Sequence, residues 1–245
     1  MTTSDRHGRN PGRLRTAAGL VPLGARVADI GTDHGLLPRI LVDERRAAFC
    51  IATELRSERF SLPPGLRHGE RLRRIELRTG DGLAVIDPAD RIEVLTLTGL
   101  GGRTIARILE DDRRRQLDLR RIVIQPQSEW ALVRAWLAER GLGVVEERLV
   151  RERGRYYLVL AAESRAEPVP RHATLSRRDL LEAGPRLVRS PEPLVQGYWR
   201  ERLEHGERIL RRTPSGAGRV EARRRRDVSL RVLAALPSRA DRPLL

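Results

Sequence analysis

The sequence predicts an α/β protein: a Rossmann-like sheet, mostly parallel with one antiparallel strand, followed by a C-terminal α-helical hairpin. Three observations carry that prediction. From Arg26 to Gly141, short apolar runs alternate with segments of helical period, the pattern of a parallel sheet covered on both faces. Next, "GVVEERLVRERGRYYLVLAAE" reads as two strands joined across Arg153-Gly154, which brings an antiparallel strand into the sheet. Beyond the polar, proline-bearing "SRAEPVPRHA" the pattern turns wholly helical.

The elements follow in order. "RVADI" is strand-like, and "LLPRILVDE" is a helix with Pro38 in its first turn. "AFCIATE" is the second strand. "RIELRT", the third, alternates Ile75 and Leu77 with charges, as a half-buried strand does. "IEVLTLT" is a continuous buried run that stops at "GLGG". "RTIARILEDD" then places Ile105, Ile108 and Leu109 on one helical face. "RIVIQPQ" is the fifth strand. "SEWALVRAWLAERG" is a helix with Ser128 as its N-cap and Gly141 as its terminator. In the tail, "PEPLVQGYWRERLEHGERILRR" puts Val195, Trp199, Leu203 and Leu210 near one face, "TPSGAG" breaks the helix, and "RVEARRRRDVSLRVLAAL" starts another. The expected organisation is a loose arm over 1–12, a ligand-binding sheet domain over 13–163, a linker over 164–173 and a helical hairpin over 174–245.

Composition narrows the class. The 245 residues carry a formal charge of +15, and every basic residue is arginine. Such an excess suggests an acidic partner, of which nucleic acid is the commonest, although part of it fits the arginine-rich coding of a GC-rich genome. Cys50 is the only cysteine and lies in an apolar run, so neither a disulfide framework nor a cysteine metal cluster is expected. No apolar stretch approaches the roughly 20 residues of a membrane span. The opening "MTTSDRHGRNPGR" lacks the apolar core of a signal peptide. A cytoplasmic protein without membrane or metal partners is expected.

In open α/β sheets, ligands bind beyond the carboxyl ends of the strands. The first such loop is "DIGTDHG": Gly31 permits a sharp turn and Gly35 lets the next helix approach a ligand. A dinucleotide loop would place a glycine at Asp33. A carboxylate there repels pyrophosphate and suits a ligand carrying an ammonium or sulfonium, and S-adenosylmethionine carries both. Glu54 ends the second strand 25 residues after Asp29, near the spacing at which such sheets place the acid that binds ribose hydroxyls. Asp81-Gly82, after the third strand, reads either as a carboxylate facing an adenine amino group or as a favoured turn pair. The glycines of "LTGLGG" imply a close approach to the backbone, or a glycine-rich turn alone. Arg39, Arg103, Arg107, Arg177 and Arg178 are candidate phosphate contacts near the pocket, with Arg223 to Arg226 on the hairpin. Each also reads as part of a solvated face. With few aromatic residues, shape recognition of a folded RNA is expected over stacking on single strands.

A parallel sheet ending in an antiparallel hairpin is the habit of the class I methyltransferases; in dehydrogenases the sixth strand stays parallel. Over residues 13 to 212 the chain resembles the bacterial tRNA (adenine(22)-N(1))-methyltransferase family. The matching pieces are "RLRTAAGLVPLGARVADIGTDHGLLP", the Glu-ended second strand, "GDGL", "LTGLGG", "IQPQ" and "AGPRLVRSPEPLVQGYWRERLEHGERIL". Three departures stand out. The family's Ala-Gly-Met-Gly-Gly is here Thr98-Gly99-Leu100-Gly101-Gly102, and its Gln-Pro-Asn is Gln125-Pro126-Gln127. Pro63-Pro64 interrupts a helix that is continuous in the family.

The resemblance implies S-adenosylmethionine as cofactor and tRNA as partner. Asp29, Gly31, Asp33, His34 and Gly35 would line the methionine end, Glu54 the ribose, and Asp81 with Gly82 the adenine. Thr98 and Gly99 would stand at the reacting atoms, with Thr98 also touching the cofactor. Leu100, Gly101, Gly102 and Gln125 would border the target base. Asp29 or Asp33 would stabilise the charge that develops on a methylated ring nitrogen. Two alternatives stand beside this expectation: an RNA-binding protein that kept the fold without the reaction, and a methyltransferase acting on something other than tRNA.

Overall fold

A computed structural model describes residues 12–56, 72–167, 169–213 and 215–237. The arm expected over 1–12, apart from Gly12, and the break expected at Pro63-Pro64 lie outside the described residues. The helices are α1 (Arg13–Gly19), α2 (Leu36–Asp43), α3 (Gly102–Leu109), α4 (Arg113–Gln116), α5 (Trp130–Glu139), α6 (Arg177–Ala183), α7 (Pro193–Arg212) and α8 (Ala217–Ala235). The strands are β1 (Ala25–Ile30), β2 (Ala47–Glu54), β3 (Ile75–Thr79), β4 (Val94–Leu100), β5 (Arg121–Pro126), β6 (Gly143–Glu152) and β7 (Arg155–Glu163).

The seven strands form one sheet in the order β3-β2-β1-β4-β5-β7-β6. The pairs β1–β2, β1–β4, β2–β3 and β4–β5 are parallel, and β7 runs antiparallel to both β5 and β6. The reversal of β7 is built by the turn Arg153-Gly154, where both residues have positive φ (49° and 78°). A two-residue turn of that hand matches the twist of a hairpin. The strand order reverses at β1, between β2 and β4, which opens a crevice beyond their carboxyl ends.

Both faces of the sheet are covered, which is why the inner strands read as unbroken apolar runs. On one face, Ala17 and Ala18 of α1 and Leu37 and Leu41 of α2 pack on Val27, Ala52, Val123 and Ala161. On the other, Ile105, Leu109, Val133 and Leu137 pack on Ile30, Leu95 and Ile124, with Trp199, Val228 and Val232 from the two long helices. Burial at about 25 cal/mol per Å² of apolar surface is the main driving force for both layers. The edge strand β3 departs from its half-buried expectation: Ile75 is buried, whereas Leu77 is 38% exposed.

Ser128 is not the N-cap of α5. Glu129 occupies that position, in a left-handed conformation (φ 59°) and without a side-chain cap bond. The reason is tertiary: the Glu129 carboxylate accepts from the Arg103 amide (3.2 Å) and pairs with its Nε (2.8 Å). Gly141 terminates the helix as expected. At φ 70° its N–H reaches the Ala138 carbonyl, while that of Leu142 reaches Leu137.

The helical tail contains more than a hairpin. Before α7 and α8, the extra helix α6 is closed by a capping box between Ser176 and Asp179. A buried ion pair docks this tail onto the sheet. Arg134 Nε of α5 donates to Glu147 of β6 (2.6 Å), and its Nη1 reaches the Leu181 and Glu182 carbonyls of α6. Glu147 also accepts from the amides of Arg186 and Leu187. Arg231 and Arg224 of α8 pair with Asp179 and Glu182, fixing the hairpin to α6.

Candidate active site

A cleft of about 480 Å³ opens beyond the carboxyl ends of β1, β2, β3 and β4, where the strand order reverses. It gathers Asp29, Gly31, Asp33, His34, Glu54, Asp81, Gly82, Thr98, Gly99 and Leu100 from the ends of four strands and the loops that follow them, with Arg107 from α3. Gly35 is the N-cap of α2, in the left-handed region (φ 60°), and is buried just behind the loop.

The loop after β1 is shaped by backbone. The amides of Gly31 and Thr32 both donate to the Thr53 carbonyl (3.0 and 2.8 Å), tying the turn to the end of β2. Gly31 (φ +75°) adopts a conformation that disfavours L side chains, and a Cβ there would meet Leu100 at 3.5 Å. Asp33 is also left-handed (φ 52°), which Asp tolerates better than most residues. Its exposed carboxylate lies 3.5 Å from His34 Nε2.

Asp29 is 1% exposed at the end of β1 and accepts a hydrogen bond from Thr96 Oγ1 of β4 (2.7 Å). Burial pushes its carboxyl up to about 6, against the pull of that hydrogen bond. Glu54 is held by backbone: Oε2 accepts from the Asp33 amide (3.3 Å) and Oε1 from those of Leu55 and Arg56 (3.0 and 3.4 Å). Asp81 is exposed and sits 3.5 Å from Arg107 Nη1 of α3. The Cys50 thiol is buried beside Asp29, and burial holds it well above the usual thiol range, so it offers no nucleophile.

The glycines of β4 divide their work. The pairing register of β4 with β5 shifts between Thr98 and Leu100, a bulge at Gly99 (φ +77°). That bulge turns Leu100 toward Gly31. The Gly99 amide donates to Gln125 Oε1 (3.2 Å), which also accepts from Arg13 Nη1 (3.2 Å). Gln125 is fully buried and supports the bulge from behind; it does not line the cleft. Gly101 and Gly102 lie outside the cleft as well. Gly101 caps α3, and a Cβ on Gly102 would come within 2.9 Å of the Ser128 carbonyl. Arg103 points to Glu129, and Arg177 and Arg178 are exposed on α6. Of the hairpin arginines, Arg224 and Arg225 are ion-paired to Glu221 and Arg226 to Asp227.

Sequence reasoning missed Thr96, Arg13, Thr104 and Gln127. Thr96 had a signal, a polar residue inside a buried run, two positions before Thr98. Arg13 had none, since it reaches the cleft only because α1 docks across the sheet.

The donor set has a clear preference. Four carboxylates ring the cleft, and its two arginines are engaged: Arg13 with Gln125 and Glu152, and Arg107 with Asp81. A phosphate would meet repulsion. S-adenosylmethionine presents an ammonium, a sulfonium, a ribose diol and an adenine amino group, each complementary to a carboxylate. Among the described residues, no cluster of three or more His, Cys, Asp or Glu that could hold a metal is found, and no helix is long and apolar enough to cross a membrane.

Comparison with known proteins agrees with this geometry. The tRNA (adenine(22)-N(1))-methyltransferase family model matches residues 27–232. A tRNA (adenine(22)-N(1))-methyltransferase of Bacillus subtilis (strain 168) is 30% identical over 206 residues, covering 84% of this chain and 86% of that protein. The crystal structure of the B. subtilis m1A22 tRNA methyltransferase superposes with a TM-score of 0.79 at 28% identity, covering 92% of this chain and 99% of the other. A Streptococcus pneumoniae structure in complex with S-adenosyl-L-methionine gives 0.78 at 28% identity, covering 91% and 99%. The chain belongs to the tRNA (adenine(22)-N(1))-methyltransferase family.

Proposed function

We propose that this chain transfers the methyl group of S-adenosylmethionine to the ring nitrogen N1 of an adenine in tRNA. The observation that carries the reading is the cleft itself: Asp29, Asp33, Glu54 and Asp81 at three successive strand ends, facing the bulged Thr98-Gly99-Leu100 of a fourth. A tRNA substrate makes this a cytoplasmic protein.

The cofactor, when bound, supplies an electrophilic methyl group on a sulfonium centre. Asp29 and Asp33 would hold its cationic end, Glu54 would accept from the ribose hydroxyls, and Asp81 would accept from the adenine amino group. N1 of adenine already carries a lone pair, so no protein base is needed to create the nucleophile. The protein's task is alignment: Leu100, fixed by the Gly99 bulge against Gly31, forms a wall that sets where the target base stops. The methylated ring is cationic, and the carboxylates of Asp29 and Asp33 would stabilise that charge as it develops. A target base inside a folded RNA must be turned out of its stack to enter.

Calorimetric titration with S-adenosylmethionine tests the first requirement. Saturable binding at one site per chain is expected, and no heat of binding at any accessible concentration would leave an RNA-binding protein without the reaction.

A further inference from the structure

Outside the cleft, Arg202 stands apart among the described arginines that lack an ion pair, because its guanidinium is half-buried against aromatic rings. Arg202, on α7, lies against the rings of Tyr198 and Trp199 (5.5 and 5.2 Å to the centroids) and donates through Nη1 to Tyr198 Oη (3.0 Å). Its Nε is buried and makes no hydrogen bond, and among the described residues no carboxylate pairs with it. The nearby acids are taken elsewhere. Glu201 accepts from Tyr156 Oη and pairs with Arg151, Glu182 pairs with Arg224, and Glu129 with Arg103. Glu204 shares a groove with Arg202 and forms no ion pair with it. Partly desolvating a guanidinium without an anion is costly, and the cation–π contacts offset only part of that.

Arg202 also sits where two grooves meet. One, of about 360 Å³, runs past Tyr156, His205 and Arg208; the other, of about 400 Å³, runs past Trp130 and Arg224. Tyr198 and Arg225 line both. The second groove reaches Gln127, which also lines the carboxylate-ringed cleft, and Ser128, against which Gly101 packs at the end of the β4 glycine turn. Gln127 is thus a wall common to the carboxylate-ringed cleft and to the groove that holds Arg202.

We infer that Arg202 is a phosphodiester-binding residue for the RNA substrate, seating the backbone that leads away from the nucleotide in the cleft. The inference rests on the proposed tRNA substrate. A phosphodiester oxygen supplies the anion that the fold withholds, and the guanidinium fork suits it better than an ammonium would. Tyr198, stacked on Trp130 (5.5 Å, 28°) and edge-on to Tyr156 (5.1 Å, 64°), holds the guanidinium in place before RNA arrives.

The test compares the wild type with Arg202→Met, which keeps an unbranched stem against Trp199 and removes the charge. Binding to tRNA is measured at several salt concentrations, and binding of S-adenosylmethionine by calorimetry. The expected result for Arg202→Met is tRNA binding weaker by about tenfold, with the slope of log affinity on log salt reduced by about one. Cofactor affinity stays unchanged, and Arg202→Lys recovers the salt slope with only part of the affinity. Wild-type affinity and slope in Arg202→Met would overturn the inference. So would a loss of affinity with the slope intact, which would mark Arg202 as packing alone, or tight competition by an acidic polypeptide at this groove. A wild type that binds cofactor and no tRNA would instead remove the substrate reading before any variant is made.

Discussion

Asp29 carries two opposed demands. Its carboxyl ordinarily titrates at 3.8 and in the fold at about 6, because burial disfavours the charge. Between those values the folded chain holds a proton that the unfolded chain has lost. This contribution to stability is therefore fully present below about pH 4 and is lost as pH rises to about 6, on the order of 3 kcal/mol. A cationic ligand needs the ionised form, so affinity for S-adenosylmethionine rises with pH through about 6 and levels off above it. Asp29→Asn retains an oxygen for the Thr96 hydroxyl and loses the charge. At pH 7 its free form should melt no lower than the wild type, while cofactor affinity falls at least tenfold and its rise through pH 6 disappears. Calorimetry across pH 5–8 checks this, and an unchanged pH profile in the variant would reject Asp29 as the titrating group. Asp29 and Glu54 were legible in the sequence because each ends an apolar run at a spacing that sheet geometry dictates. Arg13 was not, because its partner Gln125 lies 112 residues away and no local pattern encodes that meeting.

At the scale of elements, the start of α3 is seated on the start of α5 with no room to spare. A Cβ at Gly102 would meet the carbonyls of Ser128 and Glu129 at 2.9 and 3.0 Å, and backbone cannot swing aside as a side chain can. Gly102→Ala should cost about 1–3 kcal/mol and lower the melting temperature by several degrees. Gly218→Ala in α8, where a Cβ meets nothing within 4 Å, should lower it not at all. Equal effects at both sites would refute the packing role. Here the sequence was only partly readable. The three glycines of "LTGLGG" implied a close approach, and the structure divides them between a bulge beside the cleft and a helix contact away from it. Ser128 looked like a cap because serine before a helical run usually is one; the pull of Arg103 on Glu129 moved the helix start by one residue.

Across the whole molecule, the alternation of strand and helix was enough to predict a sheet covered on both faces, and the Arg153-Gly154 turn enough to predict its antiparallel end. The docking of the tail was not readable. It depends on Arg134, which bridges Glu147 to the carbonyls of α6, and an arginine within an apolar helix looks like any other arginine in a chain so rich in them. Charge follows the same logic. Many of the arginines behind the net +15 are spent on ion pairs within the chain, so the excess alone does not locate an RNA surface; the proposal for Arg202 rests instead on its buried, unpartnered Nε and its place between two grooves. The cleft and its carboxylates converge on one reaction. Incubation of the full chain with bulk tRNA and methyl-labelled S-adenosylmethionine, followed by digestion and nucleoside analysis, tests that reaction directly. Label in 1-methyladenosine is the predicted result; RNA without label, or label confined to any other nucleoside, would contradict it.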